Sequence, residues 1–147
     1  MNGAFMFFSD LIREIQLDVR TKFIYAKSYA GTKQQDLSLM YEELDFAELE
    51  GQHVVIVEDI VDTGGTILGV IEAVQRFNPK KVELCTLLLR NPKSIISIDH
   101  YVGFLLDNEE FIIGYGLDLD SKFRNVAFIT TIDEIKAAPY SYLHKYI

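Results

Sequence analysis

From Phe5 to Leu17, apolar residues recur at helical spacing at Phe5, Phe8, Leu11, Ile12 and Ile15, while Asp10, Arg13 and Glu14 fall on the opposite face. That period predicts an amphipathic helix. It begins right after Gly3, without the strand that normally precedes such a helix in an α/β domain, so the chain reads as N-terminally shortened. Lys22 to Tyr29 is rich in β-branched and aromatic residues and predicts a strand, with Asp36 to Tyr41 as a candidate pairing partner. Ala30-Gly31-Thr32-Lys33-Gln34-Gln35 between them is polar, has little to bury, and is expected to be mobile. Leu49-Glu50-Gly51-Gln52 reads as a turn.

His53-Val54-Val55-Ile56-Val57 is a short continuous apolar run, the pattern of a strand covered on both faces in a parallel sheet. Thr66 to Phe77 predicts a helix with Ile67, Val70, Ile71, Val74 and Phe77 on one face, stopped by Asn78-Pro79. Val82 to Leu89 is a second buried strand. Strand, helix, strand make a βαβ unit with an expected right-handed crossover. Tyr101 to Leu105, Glu110 to Ile113 and Val126 to Thr131 read as further strands, and the tail from Asp133 as helical. The picture is an α/β protein in one domain, residues 1–147, with a mainly parallel sheet flanked by helices.

Composition narrows the chemistry. Apolar residues make up 49% and charged residues 24% of the 147, an ordinary globular balance. The formal net charge of -8, with no Lys/Arg cluster, argues against a nucleic-acid partner. An anionic substrate therefore needs local cations, backbone N–H groups or a metal ion. Cys85 is the one cysteine, so no internal disulfide forms and a reducing, cytoplasmic location is expected. Cys85 sits in an apolar run and reads as a small buried hydrophobe. No stretch has the length of a membrane span, and the apolar N-terminus lacks the basic leader of a signal peptide.

The informative segment lies between strand 53–57 and helix 66–77. Glu58 and Asp59 end the strand, Asp62 follows two apolar residues, and Thr63-Gly64-Gly65-Thr66 opens the helix. Small residues let a backbone approach a phosphate, and a helix N-terminus favours an anion. The acidic half repels phosphate but suits sugar hydroxyls or hydrated Mg²⁺. A ribose 5-phosphate satisfies both halves. Taken alone, Thr-Gly-Gly-Thr is equally a solvated turn with an N-cap. Walker A, G-x-G-x-x-G and EF-hand patterns are all absent.

The run Val54-Val55-Ile56-Val57-Glu58-Asp59-Ile60-Val61-Asp62-Thr63-Gly64-Gly65-Thr66 resembles the 5-phosphoribosyl-1-pyrophosphate (PRPP) motif of type I phosphoribosyltransferases. Within them, the chain is similar to the hypoxanthine-guanine phosphoribosyltransferases. Gly3-Ala4-Phe5-Met6-Phe7 resembles the end of that family's pyrophosphate loop, and Lys27-Ser28-Tyr29 the start of its closing loop. Phe111-Ile112-Ile113-Gly114-Tyr115-Gly116-Leu117-Asp118, with Phe123-Arg124, resembles its base- and pyrophosphate-binding segment.

The resemblance implies a type I phosphoribosyltransferase fold with a small hood, here expected to lack an N-terminal strand and part of that hood. It implies transfer of the phosphoribosyl group from PRPP to N9 of hypoxanthine or guanine, giving nucleotide and pyrophosphate, with Mg²⁺. Glu58 and Asp59 would contact the ribose hydroxyls or their metal. Asp62, Thr63, Gly64, Gly65 and Thr66 would cradle the 5′-phosphate, and Asp62 would assist proton transfer at N7. Phe111 would stack on the purine and the Ile112 backbone would meet its exocyclic edge. Asp118, beside the purine, would hold a second Mg²⁺ through water. Asn2, Gly3 and Arg124 would meet pyrophosphate, and Ser28 and Tyr29 would close over the site. A homodimer or homotetramer is the family's expectation.

Two positions depart from that pattern. Arg90 stands where the family has the Lys that donates to O6, and Asn2 where it has the Lys of the pyrophosphate loop. An Arg is planar and longer than a Lys, and the exchange is not conservative at such a site. Read from the residues alone, Phe111 is more readily core, Asp118 and Asp120 a solvated turn, Arg124 a surface ion pair, Tyr29 an ordinary strand-end aromatic and Arg90 a solvent-facing side chain. A PRPP-sensing regulator and an inactive homologue remain as other readings, and xanthine as another base.

Overall fold

The computed structural model describes residues 3–27, 38–40, 46–90, 97–107 and 109–137. The first amphipathic run forms helix α1 (Phe5–Glu14). It ends a turn earlier than the spacing predicts, because Ile15 is already extended and Leu17, 77% exposed, has nothing to pack on. Helical propensity without tertiary burial does not sustain a further turn. Strands β1 (Tyr25–Lys27) and β2 (Ser38–Met40) pair antiparallel, as expected, and Lys22, Phe23 and Ile24 precede the pairing. The polar segment 30–35 lies outside the described residues. A 3₁₀ turn (Phe46–Leu49) leads into the Gly51 turn.

The centre is a three-stranded parallel sheet in the order β3 (His53–Val61), β4 (Lys81–Arg90), β5 (His100–Leu106). Helix α2 (Gly65–Gln75) connects β3 to β4. Ile67, Val70, Ile71 and Val74 on α2 pack on Val61, Val82, Leu84 and Leu89 of the sheet, with Val54 and Ile56 at the margin. The predicted face is thus the buried one, except that α2 stops at Gln75 and leaves Phe77 beyond it. Asn78 and Lys80 bond instead to the Gly51–Gln52 turn: Gly51 N–H donates to Asn78 O at 3.0 Å, and Lys80 N–H to Gln52 O at 2.8 Å.

One boundary matters for function. β3 does not end at Val57 but runs on through Glu58, Asp59, Ile60 and Val61. Ile60 and Val61 keep register with Leu88 and Leu89, and Val61 is buried. The expected loop 58–66 is therefore half strand, and only Asp62–Gly64 turns.

Two short strands, β6 (Ile112–Ile113) and β7 (Thr130–Thr131), pair antiparallel where longer ones were expected, and helix α3 (Ile132–Ala137) follows. The stretch between them is taken up by a tight turn held by backbone bonds from Tyr115 N–H to Val126 O at 2.7 Å and from Gly116 N–H to Arg124 O at 3.0 Å. Among the described residues, no helix is long and apolar enough to cross a membrane.

Candidate active site

Because β3 and β4 are parallel and in register to their ends, Asp62 and Arg90 emerge at the same edge of the sheet. Ligands of open α/β sheets bind beyond the C-terminal ends of the strands. Asp59, near the end of β3, is only 7% exposed and lies under Gly3. A Cβ on Gly3 would come 1.8 Å from Asp59 Oδ2, so any side chain there would have to displace the buried Asp59 carboxylate. Burial, then the neighbouring Asp59 carboxylate, pushes the Glu58 carboxyl up to about 8. A cation bound beside Glu58 would offset the burial that disfavours its charged form.

The turn after β3 exposes Asp62 and Thr63 and buries Gly64. Gly64 takes φ 83°, the left-handed region that favours glycine, and serves as the N-cap of α2. No side chain caps this helix start. Its first N–H groups are thus left for an anion, with the helix dipole behind them. Thr66 stands exposed beside them.

Arg90, at the end of β4, faces this turn. Its side chain is 12% exposed, so the solvent-facing reading is wrong. Nη2 donates to the Glu110 carbonyl at 2.9 Å, and Nε lies 3.6 Å from Asp62 Oδ1. Phe111 follows Glu110, and its N-terminal position relative to β6 leaves it 50% exposed. The core reading of Phe111 therefore fails too: an exposed ring at a strand edge offers a stacking surface. Ile112 next to it is half-buried.

The turn from Gly114 to Arg124 carries Tyr115, Asp120, Ser121 and Phe123 at positive φ. Gly116, at φ 99°, sits against the Gly3 carbonyl, which a Cβ would approach to 2.1 Å. Gly3 is thus wedged between Asp59 and Gly116, bringing the start of the chain to the end of β3. Arg124 pairs with Asp118 at 2.6 Å and donates from Nη1 to the Gly116 carbonyl at 2.7 Å. The Tyr115 hydroxyl donates to Asp10 on α1. Sequence reading missed this brace, and nothing local signals it. It also missed the Glu110 carbonyl, which no side-chain motif can show.

Asn2, Ser28 and Tyr29 lie outside the described residues. Among the described residues, no group of three or more His, Cys, Asp or Glu side chains converges to hold a metal. Glu58, Asp59 and Asp118 accordingly do not form one cage. Hard oxygen donors in ones and twos nevertheless suit Mg²⁺, which keeps waters and phosphate oxygens rather than an all-protein shell. Cys85 is half-buried rather than buried as expected, and the burial it has raises its thiol, which disfavours a nucleophile.

A second polar cluster lies at the other end of the strands. Glu83, buried on β4, accepts from Lys81 Nζ at 2.7 Å and Tyr101 Oη at 3.1 Å, and meets His53 Nε2. Its lone pairs are used within the protein.

The profile of the phosphoribosyl transferase domain family matches residues 1–120. A hypoxanthine-guanine-xanthine phosphoribosyltransferase from Tritrichomonas foetus is 34% identical over 137 residues, covering 91% of this chain and 73% of that protein. A hypoxanthine-guanine phosphoribosyltransferase from Bacillus anthracis superposes with TM-score 0.74 at 35% identity, over 89% of this chain and 75% of that one. A hypoxanthine phosphoribosyltransferase from Staphylococcus aureus does so with TM-score 0.79 at 32% identity, over 89% and 71%. The chain belongs to the phosphoribosyltransferase family of enzymes, and the hypoxanthine-guanine phosphoribosyltransferases are its relatives.

Proposed function

We propose that the protein transfers the 5-phosphoribosyl group of PRPP to N9 of a 6-oxopurine, hypoxanthine or guanine, releasing pyrophosphate. One observation carries this reading. An uncapped, glycine-started helix and a half-exposed phenylalanine lie on either side of the Asp62–Arg90 pair, so a phosphate cradle and a base platform meet at one strand edge.

In this reading the 5′-phosphate sits on Asp62, Thr63, Gly64, Gly65 and Thr66, and the ribose diol faces Glu58 and Asp59. The purine stacks on Phe111, with its exocyclic edge on the Ile112 backbone. Arg90 offers O6 the Nη1 donors that Glu110 does not use. As the C1′–O bond loosens, N9 attacks an oxocarbenium-like ribosyl group while Asp62 takes the proton at N7. Most of the rate enhancement then comes from positioning and electrostatics. Asn2, Gly3 and Arg124 receive the pyrophosphate, Arg124 exchanging Asp118 for it, and Ser28 and Tyr29 close the site. Mg²⁺ held near Glu58, Asp59 and Asp118 would neutralise the leaving group. That suits a protein of net charge -8 acting on so anionic a substrate. A homodimer or homotetramer in the cytoplasm completes the reading.

Adenine carries a donor at position 6 and would leave Arg90 facing donor with donor. A buried unpaired donor costs ~1–3 kcal/mol. Nucleotide formation followed by ultraviolet absorbance, with hypoxanthine, guanine, xanthine and adenine in turn and with Mg²⁺ or EDTA, tests the proposal. Turnover of hypoxanthine and guanine, loss of turnover in EDTA and rejection of adenine are expected. PRPP binding without turnover of any base points instead to a sensor or inactive homologue, and turnover of adenine alone refutes the role of Arg90 in base choice.

A further inference from the structure

Arg90 meets the site at two points that belong to different parts of the chain. Through Nη2 it holds the Glu110 carbonyl, one residue before the Phe111 platform, at 2.9 Å. Through Nε it faces Asp62, in the turn after β3, at 3.6 Å. That Nε is buried and has no hydrogen-bond partner. At 3.6 Å the contact is an ion pair but not a hydrogen bond. A buried N–H left unsatisfied is unfavourable, and a shift of under about 1 Å by the exposed Asp62 carboxylate would bring it to charge-assisted bonding distance.

We propose that Arg90 is a positioning residue that fastens Asp62 to the base platform, so that the carboxylate facing N7 and the ring under the purine are set by one rigid guanidinium. The proposal rests on the purine-transfer reading above. It gives the Arg at this position a reason that base reading alone does not. A guanidinium presents N–H groups at Nε and at both Nη atoms in a fixed plane, so it can hold two partners and still offer a third edge. A lysine ammonium has no donor at the Nε place on its stem. Arg90 could serve both partners only because β3 and β4 end in register, which puts Asp62 and Arg90 side by side. The ordinary rival is a surface ion pair of little consequence. The burial of Arg90, against 60% exposure for Asp62, separates this pair from that class.

A double-mutant cycle on turnover tests the proposal. Arg90→Lys is expected to lower kcat about tenfold while KM for PRPP stays within about twofold. In the Asp62→Asn background the same exchange should have almost no effect on kcat, because the group it positions no longer takes a proton. Equal losses from Arg90→Lys in both backgrounds overturn the proposal, since Arg90 then acts without Asp62. Hydrogen exchange in the ligand-free protein gives a readout independent of activity. Arg90→Gln and Arg90→Leu should both speed exchange in residues 60–64 and 110–113 together. Unchanged exchange, or a change in one segment only in both variants, overturns it. If the wild-type protein turns over none of the bases, the purine-transfer reading fails, and the exchange result alone decides whether Arg90 joins the two segments.

Discussion

Gly116→Ala should be among the most damaging single-methyl additions this protein can suffer, and Gly51→Ala provides its control. Both glycines have positive φ, 99° and 68°. An alanine there pays a backbone penalty of ~1–3 kcal/mol at either position. At Gly51 nothing lies within 4 Å of the new Cβ, so that penalty is the whole effect. At Gly116 the Cβ would stand 2.1 Å from the Gly3 carbonyl oxygen and 3.6 Å from Met6 Cβ. The oxygen contact is backbone and cannot be relieved by a rotamer change. Either the segment bearing Gly3 lifts from Asp59, or the 114–117 turn opens. We expect Gly51→Ala to cost about 1 kcal/mol and Gly116→Ala at least ~2 kcal/mol more, on the scale of an overpacked core. For a domain of this size that difference is a Tm lower by roughly 4–8 °C. Urea denaturation of both variants, with hydrogen exchange on residues 3–8 and 114–117, measures it. Equal losses for the two variants would refute the wedge described for Gly3, Asp59 and Gly116.

Asp62→Asn keeps the size of the side chain but cannot take a proton, so kcat should fall ~10²–10⁴-fold while PRPP affinity changes little; an unchanged kcat in steady-state kinetics would reduce Asp62 to a phosphate-turn residue. Folded Glu58 keeps its proton to about pH 8, whereas the unfolded carboxyl ionises near 4.5. Between those values the folded state binds more protons, so its stability falls as pH rises through that window and levels off above it. Glu58→Gln should remove this slope and, at about 1.4 kcal/mol per pH unit, stabilise the metal-free protein at pH 7 by up to ~3 kcal/mol; parallel stability curves for both proteins at pH 5, 7 and 9 would contradict it.

The βαβ core was legible because its apolar periods agree with its burial. Ile67, Val70, Ile71 and Val74 repeat every three or four residues and all are buried. The end of β3 was not, because Glu58 and Asp59 break the apolar run while register with β4 continues beneath them. A polar side chain says nothing about whether its backbone stays in a ladder. The phosphate turn was readable as a motif of small residues before a helix. The partners of Arg90 were not, since one is a backbone carbonyl twenty positions on and the other depends on strand register. Phe111 shows the same limit in reverse: its apolar surroundings suggest core, and only its place outside the β6–β7 pair leaves the ring exposed.

The strands carry ionic groups at both ends, Glu83 with Lys81, His53 and Tyr101 at their starts, and Asp62 with Arg90 at their finish. Glu83 and Arg90 lie seven steps apart along β4, which at strand rise is about 23 Å. No side chain is shared between the two clusters. Sites so far apart, with no partner in common, combine additively. Sequence drift or engineering at the starts of the strands can reset heat tolerance without retuning the chemistry at their tips.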